Sequence, residues 1–274
     1  MRLQDQPSIK SALFVPGSRP ERFAKALASG ADCVIVDFED AVEEALKERA
    51  RENLGTYLQA NPQASVVVRI NAAGHAQHMA DIAFCGQYPG VSAVLLAKAE
   101  SREQVERVSA AGKPVWALIE SAQGLVALEQ IAHAPNLERL TFGALDLGLD
   151  LGLRSGSAAA SRLLDQARYA LLVQTATAGL ARPLDTVFPD IGNPDGLAEF
   201  AQDARDMGFG GMLCIHPGQV AAVNQVFAPT EAQILWARKV LEAAKGAPGA
   251  FRFEGQMIDA PVLSEARRLL REVG

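Results

Sequence analysis

Short β-branched and apolar runs alternate with longer segments of helical spacing along most of the chain, and few folds accommodate that alternation. A helix after every strand carries the chain back to the starting edge of the sheet, so successive strands lie parallel. The runs fall at residues 12–15, 33–37, 66–71, 93–98, 115–120, 139–142, 185–188 and 212–215. Helical segments lie between them at 19–29, 41–59, 102–111, 124–132, 161–178 and 194–207, with Gly30, Gly112, Gly179 and Gly208 where helices end. The runs are continuously apolar rather than alternating, which is the pattern of strands covered on both faces. Eight such strands predict an α/β fold, a TIM (β/α)8 barrel over residues 1–228, near the size of about 250 residues usual for that fold. A doubly wound open sheet is the alternative, but no GxGxxG or Walker-type loop follows the first run. Residues 229–274 are an addition that the barrel does not need. A helical segment at 229–245, a Gly/Pro-rich loop at 247–249 and a helix at 261–273 are expected to pack on a neighbouring subunit or over the barrel mouth.

With 49% hydrophobic and 21% charged residues the chain can bury one large core. The net charge of −6 and the lack of any basic run argue against a nucleic acid partner, though not against an anionic small molecule held by local cations. Cys33, Cys85 and Cys214 form no CxxC pair and read as structural thiols. Residues 1–11 are polar and no stretch reaches about 18 apolar residues, so a cytoplasmic protein with no membrane association is expected.

In a parallel barrel the C-terminal strand ends face one site, so the polar residues that close the apolar runs are the candidates for chemistry. They are Asp37, Glu39 and Asp40 at the second run, Arg69 and Asn71 at the third, and Lys98 and Glu100 at the fourth. Glu120 closes the fifth, Asp146 follows the sixth and His216 the eighth. Glu120 and Asp146 follow adjacent strands, about 4.8 Å apart, so their carboxylates can converge on one cation. Two hard oxygen ligands without a His/Cys cluster favour Mg2+ over zinc. Either acid alone reads first as a helix cap. Together with the acids at 37–40, however, they crowd like charges that only cations can offset. Arg69 reads as a barrel salt bridge or as the cation for a carboxylate or a developing enolate. His216 before Pro217 reads as a strand-end turn and Lys47 and Lys98 as ion-pair partners, with a catalytic His216 and a Schiff-base Lys98 as lesser readings.

Taken in order, Phe14-Val15-Pro16-Gly17, Asp37-Phe38-Glu39-Asp40-Ala41-Val42, Val68-Arg69-Ile70-Asn71, Ala117-Leu118-Ile119-Glu120, Phe142-Gly143-Ala144-Leu145-Asp146 and Ile215-His216-Pro217 resemble the citrate lyase beta-subunit family. This family lies within the HpcH/HpaI aldolase/citrate lyase group, whose members include malyl-CoA and citramalyl-CoA lyases. The likeness continues into Gly255-Gln256-Met257-Ile258-Asp259-Ala260-Pro261, which resembles the family's C-terminal lid motif. It departs at Leu96-Ala97-Lys98, where the family carries Leu-Pro-Lys.

That resemblance implies a Mg2+-dependent carbon–carbon lyase. Its substrate is a 3-hydroxyacyl thioester, on coenzyme A or an acyl carrier, cleaved to a keto acid and an acyl thioester or formed by the reverse Claisen condensation. The resemblance further implies Glu120 and Asp146 as metal ligands, Arg69 as the substrate and enolate contact, and Glu39 and Asp40 as the acids beside it. Backbone amides at Ala144 and Leu145 are implied to hold the keto-acid carboxylate. A homotrimer or hexamer is implied, in which Asp259 acts on a neighbour's barrel as general acid or base. From spacing alone Asp259, two residues before Pro261, is a helix N-cap. Two other readings stand beside this one: a class II pyruvate aldolase for free hydroxy keto acids, and a non-catalytic homologue that binds a keto acid or an acyl carrier.

Overall fold

The computed structural model describes residues 9–246 and 249–272, so the sequence readings on residues 1–8, Ala247, Pro248 and Val273 lie outside the described residues. Eight parallel strands close on themselves: β1 (Ser11–Pro16), β2 (Cys33–Asp37), β3 (Val66–Ile70), β4 (Val91–Leu96), β5 (Val115–Ile119), β6 (Leu137–Phe142), β7 (Leu184–Asp185) and β8 (Gly211–Cys214). Each pairs with the next in sequence, and β8 returns to β1 through Ser11–Met212, Ala12–Leu213 and Leu13–Cys214. The barrel expected from the alternation is therefore present, and closure removes the open edges that a parallel sheet would otherwise expose.

Around it lie α1 (Phe23–Leu27), α2 (Lys47–Ala60), α3 (His78–Gln87), α4 (Arg102–Ser109), α5 (Ala122–Val126), α6 (Leu128–Ala132), α7 (Ala144–Asp150), α8 (Ala158–Ala178), α9 (Pro194–Met207) and α10 (Pro217–Phe227). One face of the strands feeds Ile35, Val67, Leu95, Trp116, Leu118, Leu184 and Leu213 into the barrel interior. The alternate residues, among them Leu13, Val36, Val68, Leu96 and Ile119, pack outward under the helices. This double burial is why the strands read as unbroken apolar runs. Side chains alternate with a period of two, so the position two beyond an interior residue also points inward. Ile35 thus leads to Asp37, Val67 to Arg69 and Leu118 to Glu120, each one step closer to the C-terminal mouth.

Local chemistry moves several boundaries. The helix expected from residue 41 starts at Lys47, because the Asp37 carboxylate accepts the N–H groups of Glu39 (2.9 Å) and Ala41 (3.0 Å) and holds that segment as a loop. The seventh strand, expected at 185–188, spans only Leu184–Asp185. Thr186 turns its side chain to the neighbouring loop, and Pro189 has no N–H to extend the ladder. The long α8 begins at Ala158, where Ser157 accepts the Ala160 N–H, and ends at Gly179 with φ of 69°. Helices α3, α7 and α10 were not among the segments expected from spacing.

Beyond the barrel, α11 (Glu231–Ala244), a hairpin of β9 (Phe251–Phe253) and β10 (Gln256–Ile258), and α12 (Ala260–Arg271) enclose a small core of their own. It is built from Ala237, Val240, Ile258, Ala266 and Leu269. Helix α12 lies against the last turns of α8 and the chain entering β7, at the N-terminal end of the barrel. The three cysteines are free thiols, as expected of structural residues; burial pushes Cys33 and Cys214 up to about 12 and raises Cys85 as well. No described helix is long and apolar enough to cross a membrane.

Candidate active site

At the C-terminal mouth, Asp37 and Arg69 form the first layer of the site. Arg69 donates from Nε to Asp37 Oδ1 (2.7 Å) and from Nη2 to Asp37 Oδ2 (2.6 Å), a two-point clasp between adjacent strands β2 and β3. Its Nη1 lies 3.2 Å from Glu39 Oε2, and its plane stacks on the Phe14 ring at 4.8 Å. These anions hold the guanidinium protonated far above its ordinary range, against the opposing effect of burial. Removing one partner of so buried a pair typically costs about 3–5 kcal/mol, because the other charge is left uncompensated. Arg69 is therefore a barrel salt-bridge residue, as one of the two sequence readings had it, and it also lines the cavity.

Lys98 ties the next three acids together. Its ammonium contacts Glu39 Oε1 and reaches Asp40 Oδ2 at 3.3 Å, while its backbone N–H donates to Glu120 Oε1 at 2.9 Å. To do both it adopts a left-handed backbone with φ of 49°. That conformation costs a non-glycine residue roughly 1–2 kcal/mol. A hydrogen bond to a charged group, worth about 1.5–3 kcal/mol, offsets it. The expected ion-pair role of Lys98 is present. Lys47 instead donates to the carbonyls of Phe38 and Glu39, both at 3.1 Å, and so braces the loop rather than pairing with an acid.

Glu39, Asp40, Glu120 and Asp146 converge on this mouth, but not in one role. Glu39 is buried, and its carboxylate is occupied by Arg69, Lys98 and the Asp40 N–H. Burial raises its pKa in spite of the two cations. Asp40 is partly open and lines the cavity; burial pushes it up, but the hydrogen bond with Glu39 and the Lys98 and Arg69 charges outweigh this and lower it. Glu120 is 3% exposed, and its carboxyl group is pushed up to about 8 by burial, with the charges of Asp146 and Glu39 adding to the effect and Arg69 opposing it. Gly143 makes room for it: a Cβ there would lie 2.6 Å from Glu120 Cβ and Oε2. Asp146, in the first turn of α7, lines the same cavity.

This cavity, of about 300 Å3, is bounded by Phe14, Arg69, Glu120, Asp146, Thr186 and Ile215 among others. Among the described residues no group of three or more His, Cys, Asp or Glu side chains gathers as a metal cluster. Of the acids on its wall, Glu120 and Asp146 are the pair that could offer oxygen ligands to an ion. Hard oxygen ligands in that number suit Mg2+, which keeps most of its octahedron for water and substrate oxygens. The residues fit such an ion on charge as well. Five carboxylates, Asp37, Glu39, Asp40, Glu120 and Asp146, share the mouth with three cations, Arg69, Lys98 and Lys47.

Other expected residues stand differently. The Ala144 N–H donates to Thr186 Oγ1 at 3.0 Å, while Leu145 lies on the cavity wall. Thr186 escaped the sequence reading because an uncharged residue after a two-residue strand gives no signal. His216 is the strand-end turn expected of it: its Nδ1 accepts the Gly218 N–H and caps α10. Asp259 does not reach this cavity within its own chain; it caps α12, accepting the Val262 N–H at 3.3 Å. Glu100 accepts a hydrogen bond from Ser121 Oγ at 2.8 Å.

Comparison with known proteins points in one direction. The HpcH/HpaI aldolase/citrate lyase profile matches residues 10–217. A citrate lyase subunit beta-like protein of Mycobacterium tuberculosis is 44% identical over 268 residues, covering 96% of this chain and 94% of the relative. A (3S)-malyl-CoA thioesterase of Cereibacter sphaeroides is 31% identical over 269 residues, covering 95% and 93%. Among solved structures, CitE from Mycobacterium tuberculosis in complex with magnesium, acetoacetate and coenzyme A superposes with a TM-score of 0.83 at 39% identity, covering 97% of this chain and 99% of that one.

The raised Glu120 pKa has a signed consequence for stability. The folded state binds this proton more tightly than the unfolded chain, whose ordinary value is 4.5, so the stability linked to it is complete below about pH 4.5 and is lost as pH rises through about 8. In the presence of a chelator, Glu120→Gln is expected to raise the unfolding midpoint, by a margin that widens between pH 5 and pH 8 by at most about 1.4 kcal/mol per pH unit. Thermal unfolding across that range checks this; a margin that is flat or narrows with pH contradicts it.

Proposed function

The chain belongs to the HpcH/HpaI aldolase/citrate lyase family, and from that premise we propose that it is a Mg2+-dependent carbon–carbon lyase for a 3-hydroxyacyl thioester, of malyl, citramalyl or citryl type. The observation that carries this reading is the excess of carboxylates over cations around a cavity on whose wall Glu120 is held out of water. Glu120 and Asp146 would hold the ion. When bound, it supplies Lewis acidity toward the substrate's hydroxyl and carboxylate oxygens.

The chain's own residues do the remainder. Arg69, fixed by Asp37 and Glu39, faces the cavity with its orientation already set, so it offsets the charge that grows on the thioester oxygen without reorganising. Glu39 is a positioning group for Arg69 and Lys98, whereas Asp40 is the acid of the pair that lines the cavity. Cleavage removes the hydroxyl proton, breaks the carbon–carbon bond and returns one proton to the enolate carbon. Asp40 is suited to exchange a proton on this chain, and Asp259 from a neighbouring copy is proposed to deliver the one that reaches carbon.

A trimer or hexamer in which residues 229–274 close a neighbour's mouth accounts for two exposures. Val126 on α5 and Leu149 on α7 are 82% and 80% exposed, on two helices tied by the Ala122 N–H to Asp150. Met257, two residues before Asp259, is 74% exposed on the hairpin. Large apolar side chains exposed on both surfaces are what a subunit contact would bury.

Malyl-, citramalyl- and citryl-thioesters supplied with Mg2+ are expected to yield keto acid and acyl thioester in equal amounts. Glu120→Ala or Asp146→Ala should lower turnover by at least about a hundredfold with the fold retained by circular dichroism. Cleavage of free 4-hydroxy-2-keto acids alone would assign an aldolase. Free thiol with intact hydroxy acid would assign the hydrolysis for which the Cereibacter sphaeroides relative is named. Either result contradicts the proposal.

Asp259→Asn and Glu120→Ala proteins, each inactive alone, are expected to regain a fraction of wild-type turnover when unfolded and refolded together. Persistent inactivity of the mixture counts against an acid acting between subunits.

A further inference from the structure

Asp146 has little packing of its own to hold it in place. It rides in the first turn of α7, a helix of seven residues in which Ala144 and Leu147 are buried while Leu145 and Leu149 stand exposed. A helix that short is not stable without tertiary support, so the direction of Asp146 is set where the chain enters it. Two hydrogen bonds fix that entry. The Gly143 N–H donates to the Ile119 carbonyl at 3.0 Å, on the β5 side next to Glu120, and the Ala144 N–H donates to Thr186 Oγ1 at 3.0 Å, on the β7 side. The first bond continues the pairing of β5 with β6 and needs no particular side chain; the second needs a side-chain oxygen. Thr186 is itself held. Its N–H donates to Asp185 Oδ1 at 2.8 Å, and Arg168 Nε, reaching in from α8, donates to the two oxygens of that carboxylate at 3.1 and 3.0 Å. Arg168 packs against the rings of Phe142 and Phe200, and Arg168, Asp185 and Thr186 are all buried, so water does not compete for these bonds.

We propose that Thr186, anchored by Asp185 and Arg168, is the positioning residue for Asp146, and that its hydroxyl oxygen sets the reach of that carboxylate toward Glu120. The inference rests on the reading that these two acids hold the ion. Glu120 is fixed independently, from β5 and by the Lys98 N–H at 2.9 Å. A shift of the α7 entry therefore changes the separation of the two acids instead of carrying them together. Loss of the Thr186 oxygen leaves the buried Ala144 N–H without its acceptor, which favours a displaced turn in which that group finds another partner or water. Partners that orient metal ligands without touching the ion typically govern its affinity by about ten- to a hundredfold. Asp185 is no ligand itself, since Arg168 and the Thr186 N–H occupy its oxygens.

Mn2+ titrated into the full chain, followed by the electron paramagnetic resonance signal of the free ion, tests this without turnover. Thr186→Val is expected to bind Mn2+ at least about tenfold more weakly than wild type, and Thr186→Ser, which keeps the oxygen, within about threefold of it. A role confined to stability would lower the thermal midpoint of Thr186→Val in a chelator and leave its Mn2+ affinity unchanged. That result overturns the proposal, as does a Thr186→Ser chain as weak as Thr186→Val. If Thr186→Val fails to fold, Thr186→Ala removes the same oxygen with less bulk and carries the test with the same expectation. A wild-type chain that binds no Mn2+, or an Asp146→Ala chain that binds it as tightly as wild type, overturns the metal site and this inference with it. Binding that Asp146→Ala weakens and the folded Thr186 variants do not overturns this inference alone.

Discussion

Negative charge held out of water at the barrel mouth is the constraint on which the rest of the site depends. Five carboxylates gather there, and the cations lining or bracing them are Arg69, Lys98 and Lys47. Three cations cannot neutralise five acids, and burial multiplies the cost of the shortfall because the low dielectric strengthens repulsion. The chain can relieve it in two ways. Glu120 can take up a proton, which is what its raised pKa expresses, or a divalent cation can lie between Glu120 and Asp146. A site that binds the ion in preference to the proton near neutral pH is one whose stability and chemistry are coupled through the same carboxylate.

The fold meets this constraint by dividing the labour among strand ends. Period-two alternation brings Asp37, Arg69 and Glu120 inward from three different strands, so each position is fixed by the barrel rather than by a loop. Lys98 then joins the acid pair on one side to Glu120 on the other, through its side chain and its backbone N–H respectively. The left-handed conformation of a lysine at this point follows from that double duty. The Asp37 carboxylate supports the site, with its hydrogen bonds directed to Arg69 and to the loop amides of Glu39 and Ala41.

Much of this was legible from sequence because charged residues that close apolar runs are conspicuous, and because the barrel turns a one-dimensional order into a ring of neighbours. Asp37, Arg69 and Glu120 stand at strand ends where alternation and the apolar runs together point. What sequence could not resolve was how each acid is used. Glu39 and Asp40 are adjacent, yet one is buried among cations and the other opens to the cavity, a difference set by Lys98 arriving from a distant strand. Lys47 was expected in an ion pair, but carbonyl oxygens lie nearer to it than any acid. Gly143 and Thr186 matter through a close approach and one hydroxyl, and neither leaves a signature in composition. Helix α3 escaped because Gln77 caps it without a side-chain hydrogen bond, and Gly86 interrupts its apolar pattern.

The central claim is that Glu120 and Asp146 grip one divalent ion between them. Anomalous diffraction from crystals soaked in Mn2+ measures this most directly, since manganese accepts the same oxygen ligands as magnesium and scatters distinctively. A single strong peak within about 2.0–2.3 Å of an oxygen from each carboxylate is the result expected. No peak between them, or the two carboxylates turned away from each other around an ion held elsewhere, would contradict the account.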